Sequence, residues 1–198
     1  MITLCMETSH RFLVLGVMDE EKVLNRIQME CPKKQSEQIF PMLEKLLGEV
    51  GLKPTDIDQV VITRGPGSYT GVRIAMSIAK VLCTRADLPL YTLDTLQLFA
   101  GKERCQVALD ARSKRAYFGT FENGKCVDEV VAAEIELLKD KLDGRKLIGD
   151  ASLFGAEDCY PDLVQNFFDL KDCWERVANV HTLVPEYLKD ASAYMVKK

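Results

Sequence analysis

Histidine is almost missing from this chain. His10 and His181 are the only two among 198 residues, and their separation forms no metal-ligand pair in sequence. Tryptophan occurs once, as Trp174; with Phe167 and Phe168 it reads as core packing, not as a stacking platform for bases. No run approaches the roughly twenty apolar residues that a membrane helix needs. The opening Met1–Met6 reads as a strand and not as a signal peptide. The seven cysteines (Cys5, Cys31, Cys83, Cys105, Cys126, Cys159 and Cys173) are odd in number and never in C-x-x-C spacing. A disulfide framework or zinc site is therefore not expected, and a cytoplasmic location fits better. A basic surplus is absent too: 26 Lys and Arg face 30 Asp and Glu, a net charge of −4. That balance argues against a protein that grips nucleic acid by itself. Arg112, Lys114 and Arg115, and the terminal Lys197 and Lys198, read as a solvated turn and a tail. Peptidase chemistry is disfavoured as well, because no histidine stands at a recognisable spacing from Ser68, Ser113 or Cys5.

What is present is an ordinary core-forming composition, 47% hydrophobic and 28% charged. It suits one large domain or two small lobes. The most distinctive segment is Arg64-Gly-Pro-Gly-Ser-Tyr-Thr-Gly-Val-Arg73. It follows the β-branched run Gln59–Thr63 and precedes a long apolar helix. Strand, glycine-rich turn and helix can together present backbone N–H groups to an anion. Gly65 and Gly67 would allow positive φ on either side of Pro66, and Ser68 or Thr70 would cap the helix. The segment matches neither the P-loop nor the G-x-G-x-x-G fingerprint, so a tight structural turn and an anion site both stand.

The element order predicts three strands (2–6, 11–18 and 22–29) and a helix that Ser36 caps and that runs to Val50. A strand at 59–63, a helix from about Thr70, a strand near 90–92 and a helix capped by Asp94 and stopped by Gly101 follow. The pattern then restarts with strands at 106–109, 116–121 and 126–132, a helix at 134–142 and a strand at 146–148. Periodicity fades over 151–180. Two successive β-β-β-α-β units, each opening with a strand that ends in an acid (Glu7, Asp110), suggest an internal duplication. This arrangement resembles the actin-like ATPase (ASKHA, RNase H-like) superfold. The expected architecture is thus α/β with two actin-like lobes of mixed sheet, the second reduced. Residues 1–101 would form the first lobe, joined by segment 186–198, and 102–185 the second.

The helix after the glycine loop is apolar on two stripes. Val72, Ala75, Ala79 and Leu82 make one; Ile74, Ile78 and Val81 make the other, with Met76 between them. The helix before it is apolar at Ile39, Leu43, Leu46, Leu47 and Val50. Either the two helices cover one another within the lobe, or they share an apolar face for a partner. On the second reading the interface candidates are Ile39, Leu43, Leu46, Val72, Ala75, Met76, Ala79 and Leu82.

The segment 64–73, with Glu7-Thr-Ser9, Leu88-Pro-Leu90, Leu93-Asp-Thr-Leu96, Asp110-Ala-Arg112, Ile148-Gly-Asp150 and Pro185-Glu-Tyr-Leu-Lys189, closely resembles the TsaB (YeaZ-like) family. These are bacterial tRNA threonylcarbamoyladenosine biosynthesis proteins. The resemblance implies a non-catalytic subunit that docks on a paralogue, TsaD, and works with a small ATPase, TsaE. Together they transfer a threonylcarbamoyl group to an adenosine beside the tRNA anticodon. It implies no catalytic residue, metal or tightly bound cofactor in this chain, with ATP and metal carried by its partners, and leaves monomer and homodimer both open for the isolated chain. Family members usually carry aspartate at Glu7 and arginine at Lys189. The second half offers only isolated glycines (Gly144, Gly149, Gly155) and no H-x-x-x-H. Glu7, Thr8, Ser9, Gly65, Gly67, Ser68 and Asp110 are thus expected to line a vestigial nucleotide cleft, with Glu7 and Asp110 as turn formers. The competing reading is a stand-alone ATP-binding or ATP-hydrolysing enzyme of the same superfold.

Overall fold

A computed structural model describes residues 1–188; Lys189, the tail lysines and most of segment 186–198 lie outside them. In chain order the first half forms β1 (Thr3–Glu7), β2 (Phe12–Met18), β3 (Val23–Glu30), α1 (Gln35–Gly48), β4 (Gln59–Thr63), α2 (Tyr69–Ala86), β5 (Leu90–Leu93) and α3 (Thr95–Ala100). The second half forms β6 (Cys105–Asp110), β7 (Arg115–Glu122), β8 (Lys125–Cys126), β9 (Val131–Glu134), α4 (Ile135–Lys139), β10 (Lys146–Gly149), α5 (Leu163–Asp169) and β11 (Glu175–Arg176).

The first sheet runs β11-β5-β4-β1-β2-β3. Its β1, β2 and β3 pair antiparallel, while β4 and β5 extend from β1 in parallel. The second sheet runs β10-β6-β7-β8, with β9 also on β7; β10 is parallel to β6 and β7 antiparallel to it. Both sheets thus repeat one motif, an antiparallel hairpin flanked by a parallel strand, and the second stops earlier. The fold is α/β with two mixed-sheet, actin-like halves, as the element order predicts.

Alternation along the strands distributes the core. Leu4, Met6, Leu13, Leu15, Val60 and Ile62 point to one face of the first sheet, where α1 and α2 cover them. Cys5, Val14 and Val61 point to the other face. There α3 and α5 form a layer that also packs on Val107, Leu109 and Ile148 of the second sheet. Because β1, β2 and β4 are covered on both faces, each is buried along its whole length.

Several local expectations change. The third strand expected at 126–132 is split into β8 and β9. Ser36 does not cap α1; Lys34 occupies the cap position without a side-chain bond, and Gln35 Nε2 instead donates to the His10 carbonyl at 3.0 Å. The helix expected at 134–142 is only the short α4. Asp94 and Gly101 bound α3 as predicted. The faded stretch holds α5, whose Leu163, Val164 and Phe167 are fully buried. It also holds β11, which returns to the first sheet beside β5. Residues from 163 onward therefore lie against the first half before residue 186 is reached.

Candidate functional site

Three chain turns meet where the two sheets face one another: the turn after β1, the turn after β6 and the turn after β10. The glycine loop joins the first of these. Its Ser68 N–H donates to the Ser9 carbonyl at 2.7 Å. A Cβ on Gly67 would fall 2.7–2.8 Å from Ser9 atoms, so glycine is required by close approach and not by positive φ. Gly65 does take positive φ, at 113°. Ser68 Oγ accepts from Gly71 N–H at 3.3 Å and caps α2. Ser9 Oγ lies 3.3 Å from Thr95 Oγ1, and Thr95 N–H donates to the Gly65 carbonyl at 2.8 Å. The amide and carbonyl groups named here are engaged by the chain itself, as in a structural turn.

Thr8 goes deeper. Its hydroxyl donates to the Gly71 carbonyl at 2.7 Å and accepts from Ala75 N–H at 3.1 Å. Those two groups are four residues apart on α2, the pair an α-helix would join directly.

Glu7 ends β1 and is wholly buried. One oxygen accepts from Ser9 N–H and lies 3.4 Å from Thr63 Oγ1; the other, Oε2, is buried without a partner. Burial pushes this carboxyl above its ordinary range, against the opposing pull of Ser9 and His10. Asp110 ends β6 and is used locally: Oδ1 accepts from Arg112 N–H at 2.7 Å, and Oδ2 faces the Arg112 guanidinium at 3.7 Å. It closes a turn in which Arg112, Ser113 and Lys114 all have positive φ. Among the described residues, no group of three or more His, Cys, Asp or Glu side chains could hold a metal ion.

Asp150, immediately after β10, is the residue that sequence reasoning overlooked. Its side chain is 2% exposed, and donors from both halves converge on it. His10 Nε2 lies 3.0 Å from Oδ2 and Arg11 Nη2 lies 2.6 Å from Oδ1. The Tyr160 hydroxyl donates to Oδ1 and Asp110 N–H donates to Oδ2 at 2.7 Å. Burial alone would raise this carboxyl, but His10, Tyr160 and the Asp110 amide outweigh it and hold the group well below the carboxylate range. Burial and the bond to Asp150 raise the Tyr160 phenol. The His10 ring packs against Phe12, Phe99 and Tyr160 at centroid distances of 5.4–5.6 Å. The only sequence signal was Asp150 in Ile148-Gly-Asp150; its partners lie up to 140 residues away.

The interface candidates lie elsewhere. Ile39, Leu43, Leu46, Val72, Ala75, Met76 and Ala79 are buried in the chain's own core, and Leu82 packs against that core half-buried. Mutual cover of α1 and α2 on the sheet takes up these side chains. The outward faces carry Phe40, 61% exposed, and Val81, 68% exposed, with Ile74 and Ile78 half-buried.

The family model described as "TsaD: tRNA N6-adenosine threonylcarbamoyltransferase" matches residues 29–148. The Bacillus subtilis tRNA threonylcarbamoyladenosine biosynthesis protein TsaB is 27% identical over 98% of this chain and 96% of its own. Its Escherichia coli counterpart is 38% identical over 67% of this chain and 62% of its own. A solved structure from Pseudomonas aeruginosa, of a protein described as similar to the peptidase YeaZ, superposes with a TM-score of 0.81. It is 22% identical over 95% of this chain and 99% of its own, and shows the fold. The matched span and the two-sheet fold agree, and the chain belongs to the TsaD family, in its TsaB (YeaZ-like) branch.

Proposed function

We propose that this chain takes part in tRNA threonylcarbamoyladenosine biosynthesis as a non-catalytic scaffold that docks on a TsaD-like paralogue. In this reading the paralogue performs the transfer to the adenosine beside the anticodon, with a TsaE-like ATPase and the tRNA joining through the complex. The observation that carries the reading is the state of the two cleft acids. Glu7 is sealed in the core with a raised carboxyl, and Asp110 closes its own turn. Glu7 is out of reach of solvent, and Asp110, although exposed, spends its carboxylate on the amide and guanidinium of Arg112. Docking falls to the outward faces of α1 and α2, where Phe40 and Val81 are largely exposed, because their inward faces are occupied. A coupling of about 1–3 kcal/mol between docking and the paralogue's active state would suffice.

The test is co-purification with the TsaD-like paralogue of the same organism, then tRNA modification with and without this chain. Formation of a complex whose activity requires the chain, with no nucleotide turnover by the chain alone, supports the scaffold. Absence of a complex, together with ATP hydrolysis by the isolated chain that Asp110→Ala abolishes, replaces it with the stand-alone enzyme.

A further inference from the structure

A buried carboxylate in a protein is usually held by donors of its own neighbourhood. Asp150 is held by donors from three separated turns, two of which belong to opposite sheets. His10 and Arg11 come from the turn between β1 and β2 of the first sheet. The Asp110 amide comes from the end of β6 in the second. Tyr160 comes from the connection that leads back to the first sheet. The chain supplies the anion and both sides supply its ligands.

We infer that Asp150 is a built-in anionic ligand, and that the pocket around it is an interlobe site for a small oxyanion which the chain fills with its own carboxylate. The donor set has the character of an oxyanion site: one guanidinium, one imidazole N–H, one phenol and one backbone amide. The site is seated rather than incidental. The His10 ring is caged by Phe12, Phe99 and Tyr160, and the Arg11 guanidinium lies 5.3 Å from the Tyr160 ring centroid. Asp158 stands outside the donors, its Oδ2 3.2 Å from the Tyr160 oxygen, whose proton goes to Asp150, and 4.0 Å from Arg11. Of the remaining acids near it, Glu7 bonds Ser9 N–H and feels the charge of His10, and Asp110 turns its own carboxylate to Arg112. Arg11 is 39% exposed, so the pocket has a solvent-facing wall through which an ion can enter once the side chain is removed.

The consequence is a fixed relation between the two halves. A diffusible anion bridging such donors would have to be captured from solution; here the bridging carboxylate is carried by the chain's own backbone, at no entropic cost of capture. Asp150 is a positioning residue for the interlobe geometry, independent of what docks on α1 and α2.

Asp150→Ala in the full chain empties the pocket and leaves its donors. Formate is the probe, with chloride at equal ionic strength as the control. The expected result is a lowered Tm that formate raises in the variant and not in the parent protein. Peptides covering residues 8–12 and 108–112 should exchange amide hydrogens roughly tenfold faster in the variant, and formate should slow them again. An equal formate response in variant and parent overturns the inference, as does unchanged exchange in both peptides. If Asp150→Ala is insoluble, refolding it with and without formate decides: recovery that depends on formate supports the site, and no recovery with formate overturns it. Tyr160→Phe, which keeps the carboxylate and removes one donor, should speed exchange over 108–112 by a smaller factor; an effect confined to residues 158–162 counts against convergence on one site.

Discussion

The Thr8 hydroxyl stands between the carbonyl of Gly71 and the amide of Ala75, joining the turn after β1 to the first turns of α2. Helix position in this lobe is therefore set by the edge of the central strand and not by apolar contact alone. Thr8→Val keeps shape and removes both bonds. It leaves a buried acceptor and donor that must either re-pair directly or stay unsatisfied, a loss of about 1–3 kcal/mol in the second case. Urea unfolding of the variant measures this. A loss near zero would mean that α2 closes its own ladder without help.

The two helices that cover the first sheet separate core from surface sharply, and paired substitutions should show it. Ala79 is fully buried, so Ala79→Glu places an unpaired charge inside the core and should cost several kcal/mol, enough to unfold the lobe. Val81 is two residues further on and largely exposed. Val81→Asp should alter stability by no more than about 0.5 kcal/mol while weakening capture of the TsaD-like paralogue. Circular dichroism melts and pull-down of the paralogue read the two effects apart. Undiminished capture by a folded Val81→Asp, Phe40→Asp double variant would move docking off these helices.

Asp94 caps α3 through Gln97 N–H at 3.0 Å, yet burial, helped by nearby Glu186, pushes its carboxyl up to about 6. The sign follows from linkage. Between the unfolded value near 3.9 and the folded value, the native state holds a proton that the unfolded chain has released. This group's contribution is therefore fully present below about pH 4 and is lost as pH rises through about 6. Asp94→Asn retains a good capping side chain and cannot ionise. Its advantage over the parent protein should be small at pH 4 and grow to at most about 3 kcal/mol at pH 7.5. Chemical denaturation across that range checks it; an advantage that shrinks with rising pH would contradict the assignment.

Much of this architecture was legible because alternation and turn chemistry act locally. Strands β1, β2 and β4 announce themselves as β-branched or apolar runs, and Asp94 and Gly101 mark both ends of α3. The stripes on α1 and α2 were also legible, but periodicity reports that a face is apolar, not what covers it. Ile39, Ala75 and Ala79 look the same in sequence whether they meet the sheet or another protein. The split of the third strand in the second half is harder to see, because Cys126, Val127, Val130 and Val131 keep β propensity across the break. The Asp150 site was out of reach for a different reason. His10, Arg11, Asp110 and Tyr160 carry no common spacing, and only the closure of two sheets over α3 and α5 brings their donors to one carboxylate.

Glu7 gives the clearest separation between an active acid and a structural one. Its carboxyl is raised by burial and bonded to Ser9 N–H through one oxygen. A raised folded pKa means that its contribution to stability is complete below the unfolded value near 4.3 and declines as pH rises through the folded one. Glu7→Gln preserves the acceptor for Ser9 and removes the titration. The variant should match the parent protein at pH 4 and melt higher than it at pH 8, by an amount that increases with pH. In a complex with the paralogue it should leave threonylcarbamoyl transfer to tRNA unchanged, since a carboxyl sealed in the core reaches neither metal nor substrate. A variant as stable as expected but unable to support transfer would assign Glu7 a role in the reaction and return the cleft to consideration as a working site.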